Sequence, residues 1–131
     1  EFVGRYNKMY PETAMQVPGN VFYNGYMATR ELLSAVERAG STNNIKVIKQ
    51  LEQLKVSAKD RMQHFDAYMG PNHQMQQTVY MATANDEKAW KQNKNDLFKI
   101  VSWAGPQEVE DAGAIAACQM ESYADTATYD G

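Results

Sequence analysis

The chain has 131 residues, about one domain's worth, and its 44% hydrophobic, 11% aromatic and 22% charged residues are globular values. Thirteen Lys and Arg stand against sixteen Asp and Glu, a net charge of −3. This argues against nucleic acid, whose phosphates need a basic stripe. No apolar run approaches the roughly 18–20 residues of a membrane helix, so the chain is not expected to span a membrane itself.

The N-terminus, Glu1-Phe2-Val3-Gly4-Arg5, has no initiator Met and no charged-then-apolar signal layout, so an excised or partial chain is expected. Phe2, Tyr6, Met9 and Tyr10 fall at helical spacing before Pro11, which predicts a short helix over 2–10. After Pro18-Gly19, apolar positions 22, 25/26, 29, 32/33, 36 and 39 form a three-and-four ladder. They predict a helix over 20–39, with Asn20 as N-cap and Gly40 as its left-handed stop.

Ile45, Ile48, Leu51 and Leu54 predict a helix over 44–56, capped by Ser41, Thr42 or Asn43. Residues 57–77 are polar and broken by Gly70-Pro71-Asn72, and read as loop with at most a short strand. Thr78–Thr83 and Leu97–Trp103 are β-branched and aromatic and read as strands, with a helical turn over 86–94 between them. Beyond Gly105-Pro106 no periodicity survives, and residues 107–131 read as an irregular tail. Helices with one apolar stripe need a sheet to lie on, and two strands are few, so strands of the same α/β fold are expected elsewhere.

Chemistry is sparse. His64 and His73 lack the partners of a metal set, and no metal or other cofactor is expected. There is no Gly-x-Ser-x-Gly turn, and the lone Cys118 has no histidine near it in sequence. Cys118 reads as a small buried apolar residue, or as the partner of an upstream cysteine. Lysines 46, 49 and 55, and those at 88, 91, 94 and 99, are interleaved with acids and read as solvated faces. No catalytic residue is expected, and the chain is not read as an enzyme.

The one place that invites a ligand is the start of the long helix. Phe22 and Tyr26, four apart, read as core. Tyr23 and Asn24 lie off the apolar stripe at the first turn, where free N–H groups and the positive dipole end suit a carboxylate. An aromatic there supplies a flat wall for an apolar group. Val21, Phe22, Tyr23 and Asn24 are therefore the candidate ligand-binding residues.

Several stretches together resemble the C-terminal part of the type I periplasmic solute-binding proteins, the receptors of branched-chain amino acid and related ABC importers. They are Phe2-x-x-x-Tyr6-x-x-x-Tyr10-Pro11, Tyr23-x-x-Tyr26-x-Ala28-x-x-x-Leu32-Leu33, Ala35-x-Glu37-x-Ala39-Gly40-Ser41, and Phe65 with His73-Gln74 and Val79-Tyr80. Leu97–Val101 and Cys118-x-Met120 resemble the tail of some members. The resemblance implies two Rossmann-like lobes joined by three crossing strands. Residues 1–76 would belong to the first lobe, 77–85 to a crossing strand, and 86–131 to a second-lobe strand and tail. It implies a periplasmic receptor that holds a small solute between its lobes and delivers it to importer membrane subunits. The implied solute is a branched-chain or aromatic amino acid, an aromatic acid or an amide. Its cleft contact here falls on Val21, Phe22 or Tyr23. The Asp that often precedes His-Gln is Asn72 in this chain, which puts a salt bridge at that spot in doubt. A ligand-sensing domain of a signalling protein with the same fold, or a small standalone interaction domain, are the alternatives.

Overall fold

The computed structural model describes residues 1–14, 16–93, 95, 97–118 and 120–129. The elements are α1 (Phe2–Met9), α2 (Asn20–Ala39), α3 (Asn44–Glu52), β1 (Lys55–Val56), α4 (Ala58–Arg61), β2 (Ala67–Met69), β3 (Met75–Gln76), β4 (Val79–Ala84), α5 (Glu87–Gln92), β5 (Phe98–Ala104), α6 (Pro106–Val109) and α7 (Ala112–Ala117). They gather into two compact units, residues 1–27 with 80–102 and residues 28–79 with 103–131. This mixed helix and strand content agrees with an α/β fold at the coarse level.

The expected helices are present, with local corrections. Gly19, not Asn20, offers the first helical carbonyl of α2, which Tyr23 N–H meets at 3.1 Å. Gly40 has φ +58°, the left-handed stop that its missing Cβ makes cheap. Asn43 caps α3 by accepting from Ile45 N–H and Lys46 N–H. That helix ends at Glu52, not at residue 56. Leu54 is buried beyond the last turn, and Lys55–Val56 leave the helix to pair antiparallel with Ala67 and Tyr68.

Residues 57–77 hold more structure than a loop. Ser57 caps α4, accepting from Asp60 N–H, and Asp66 accepts from Ala58 N–H at 2.7 Å. Strands β1, β2 and β3 form an antiparallel sheet in that order, with Tyr68 opposite Gln76 and Met69 opposite Met75. Short polar strands such as Met75–Gln76 carry almost no alternation to read, and tertiary pairing alone makes them strands. The β2–β3 turn depends on Gly70, where an added Cβ would meet Asn72 Oδ1 at 2.8 Å and the Gln74 carbonyl at 3.2 Å. Asn72 is buried and closes that turn by accepting Gln74 N–H. In this turn an amide thus bonds its own neighbours.

In the unit of residues 28–79 and 103–129 the core holds Ala35, Val47, Leu54 and Ala67, with a polar centre beside it. There Arg61, 4% exposed, donates to Glu31 from one guanidinium nitrogen and to Gln77 Oε1 from another at 2.6 Å. Two buried charges are tolerable when each offsets the other's lost hydration. Arg30 adds a 2.7 Å bond to the Asp60 carbonyl.

In the other unit Met27 is fully buried. Strands β4 and β5 pair as a two-stranded sheet, each starting one residue later and ending one residue later than expected. Asp86 caps α5, accepting from Ala89 N–H at 2.8 Å. Along β5, Phe98, Ile100 and Val101 are all at least half exposed, so both faces of the strand meet solvent.

The C-terminal stretch is a second correction. Pro106 starts α6, where its fixed φ suits a first turn and Glu108 Oε1 accepts Gly105 N–H at 3.1 Å. Asp111 caps α7 by accepting Ala114 N–H. Neither helix exceeds two turns, too short to show a period. Cys118 at its end is exposed, which overturns the expectation of burial. No helix among the described residues is long and apolar enough to cross a membrane.

Candidate functional site

The first turn of α2 is built on rings. Phe2 and Tyr6 on α1, and Tyr10 just past its end, are spaced by four, and all three rings meet Phe22. Phe2 meets Phe22 at 6.3 Å, Tyr23 edge-on at 5.9 Å and Tyr26 at 5.0 Å between ring centroids. Tyr6 meets Phe22 edge-on at 4.9 Å, and Tyr10 meets it at 6.2 Å. Tilted and edge-on contacts at these distances are the favourable aromatic geometries.

This cluster separates the four candidate residues. Phe22 is fixed by the rings of Phe2, Tyr6 and Tyr10, and Tyr23 rests half-buried with its edge contact on Phe2. Val21, 80% exposed, and Asn24 stand outside the cluster. The turn therefore presents an exposed apolar group and an amide beside a ring held by its neighbours. The amide groups of a helix's first turn have no intrahelical acceptor. The arrangement can receive an anionic or carbonyl oxygen at the backbone and an apolar group against the side chains. The spacing of four of Phe2, Tyr6 and Tyr10 predicts a helix, but nothing local in the sequence shows that these rings support the first turn of α2.

A second constellation, absent from the sequence expectations, centres on Glu52 at the end of α3. Its Oε1 accepts Tyr123 N–H at 2.8 Å and faces His73 Nε2 at 3.1 Å, and its Oε2 accepts the Ser122 hydroxyl at 3.1 Å. Burial opposes ionisation of this carboxyl. The bonds from Tyr123, Ser122 and His73, with the charge interaction of His73, outweigh burial and hold it below its ordinary value of 4.5. His73 has φ 57°, a left-handed conformation unusual for a residue with a Cβ.

Two further side chains extend the same contact. Lys49 Nζ donates to the Thr126 carbonyl at 2.7 Å and Asn43 Nδ2 to the Tyr129 carbonyl at 3.0 Å. The tail thus runs along α3 in the opposite chain direction, held chiefly through its backbone. Lys49 is not part of a purely solvated face, as its spacing implied. Partners more than 70 residues apart leave no local signal. Beside this contact lies a cavity of about 440 Å³, lined by Glu52, Met69, Gly70, Pro71, His73, Met120 and Ser122. Elsewhere in this unit burial, and then the Glu110 carboxylate 3.4 Å from its hydroxyl, push the Tyr68 phenol up.

The Glu52 cluster is not arranged for nucleophilic catalysis. The serine and the imidazole both bond the carboxylate, so the imidazole holds no bond to the hydroxyl it would have to deprotonate. His64 stacks on Trp103 at 4.1 Å and 20°, in a different setting from His73. Among the described residues no three His, Cys, Asp or Glu side chains converge on a metal position.

No curated protein matches the chain, and no solved structure matches it. The family model of the periplasmic binding proteins does match, over residues 1–89. That span contains α1, α2 with its aromatic cluster, α3, the three-stranded sheet and β4. Members of the family bind solutes outside the cytoplasm. By this match over two-thirds of its length, the chain belongs to the periplasmic binding protein family.

Proposed function

We propose that the protein serves as the C-terminal portion of a type I, branched-chain-like receptor, which captures a small solute between two lobes and delivers it to an ABC importer. In this reading residues 1–76 belong to the first lobe, 77–85 to a crossing strand and 86–131 to the second lobe and tail. The receptor acts in the periplasm, and its partners are the solute and the importer's membrane subunits. It is not an enzyme. Binding and closure do the work, and solute favours closure only by its preference for the closed state.

The observation that carries the assignment of the site is the ring cluster under the first turn of α2. Phe2 holds Tyr23 from one edge, while Val21 stays 80% exposed beside it. A ring already ordered by its neighbours loses little entropy when a solute packs against it. Val21, Phe22, Tyr23 and Asn24 make up the contact, with Phe22 shaping it from within the cluster and Asn24 offering its amide. The preferred solutes are a branched-chain or aromatic amino acid, an aromatic acid or an amide. Each has an apolar body for the rings and an oxygen for the helix end.

The test is calorimetric titration of the intact receptor with leucine, phenylalanine, benzoate and benzamide. The reading expects saturable binding of at least one of the four, weakened roughly tenfold or more by Tyr23→Ala with no loss of helix content. Binding that Tyr23→Ala leaves unchanged removes this turn from the site.

A further inference from the structure

His73 combines features that the solute-binding reading does not use. Glu52 is an ionised carboxylate that already accepts from Tyr123 N–H and from the Ser122 hydroxyl. A carboxylate can only accept, so at the 3.1 Å contact Nε2 carries a proton, and Nδ1 is the nitrogen that can offer a lone pair to a metal ion. Nδ1 has no partner among the described residues. An imidazole held through one N–H by a carboxylate, with the other nitrogen open, is the arrangement that orients metal-binding histidines.

The cavity beside this contact is lined by Met69 and Met120 as well as His73. Met69 comes from β2, directly before the Gly70 turn that carries His73, and Met120 comes from the tail that Glu52 anchors. One carboxylate thus fixes both the imidazole and the chain segment beside Met120. Thioether sulfur with imidazole nitrogen is a soft donor set, suited to Cu(I) and poorly suited to Mg(II) or Ca(II). A volume of about 440 Å³ is ample for an ion, and unbranched methionines with three rotatable bonds can fold inward around one.

We infer that this cavity is a binding site for a soft monovalent metal ion of the Cu(I) class, held by Met69, Met120 and Nδ1 of His73. Glu52 acts as the positioning residue. The inference rests on residues of one unit and is independent of the solute reading.

The probe is Ag(I), which matches Cu(I) in charge and softness and needs no reductant. The protein carries Cys118→Ser so that the exposed thiol does not compete, and its methionine methyls are followed by NMR. One equivalent of Ag(I) is expected to shift the Met69 and Met120 methyls together, while Zn(II) at the same concentration shifts neither. Met120→Leu, at a half-exposed position that does not threaten folding, is expected to weaken Ag(I) binding at least about tenfold. His73→Gln, which keeps a donor for Glu52 but loses the ring nitrogen, is expected to do the same. The unshifted methyl resonances of the other methionines show whether each variant is folded. Shifts confined to other methionines, or undiminished affinity in Met120→Leu, overturn the proposal.

Discussion

The two units of the chain are held together by different chemistry. Residues 28–79 and 103–129 bury the polar side chains of Glu31, Arg61, Asn72 and Thr78 and supply each of these four with a partner. Residues 1–27 and 80–102 rely on rings and one fully buried methionine. They leave Phe98, Ile100, Val101 and Met81 at least half exposed. The first kind of packing fails sharply when a partner is removed, because the remaining charge stays out of water. The second kind fails gradually, because each half-exposed ring contributes part of its area. A two-stranded ribbon open on both faces is marginal by itself, so the β4–β5 pair is expected to exchange amide protons faster than the three-stranded sheet.

The comparison breaks first at the buried ion pair. Glu31→Ala leaves Arg61 buried with Gln77 but without its carboxylate, and should cost about 3–5 kcal/mol in denaturant unfolding of that unit. A cost near zero would mean that the guanidinium reaches water and that the polar centre is not a core. In the ring-held unit, Met27→Ala should cost about 2–4 kcal/mol, as a cavity left by a fully buried side chain does. Phe2→Ala removes three ring contacts at once and should cost less, about 1–2 kcal/mol, because Phe22 beside it is already 41% exposed. If Phe2→Ala proves as costly as Glu31→Ala, the contrast between the units is false.

The smallest effect is the pH dependence of the tail. Glu52 titrates lower in the folded state than its ordinary 4.5, so its contribution to docking is complete above that value. The contribution is lost as pH falls through the lower folded value, since protonation removes the acceptor for Tyr123 and Ser122. The Tyr123 amide resonance should hold constant from pH 7 to about 5 and move toward its unfolded position below. Glu52→Ala should move it there at neutral pH.

What the sequence made legible follows the range of the interactions. The ladder from Phe22 to Ala39 and the stop at Gly40 are local, and the helix is where they put it. Asn43, one of three candidate caps, does the capping because its carboxamide oxygen reaches two amides at once. The apolar character of Val56 suits either period, and only its pairing with Ala67 makes it part of a strand rather than of the expected helix. Asp111 and Pro106 start helices too short to repeat an apolar position. The candidate solute residues Val21, Phe22, Tyr23 and Asn24 are named from the helix start alone. Glu52 and His73 are not legible in this way, since their meeting depends on a glycine-built turn and on a tail more than 70 residues away in sequence.

In the proposed reading the first turn of α2 touches the solute. Titration of the intact receptor and its Tyr23→Ala variant with leucine, phenylalanine, benzoate and benzamide tests it most directly. At least one of these is expected to bind, roughly tenfold or more weakly to the variant, while the circular dichroism of the two proteins superimposes. Equal affinities in two equally folded proteins would contradict it.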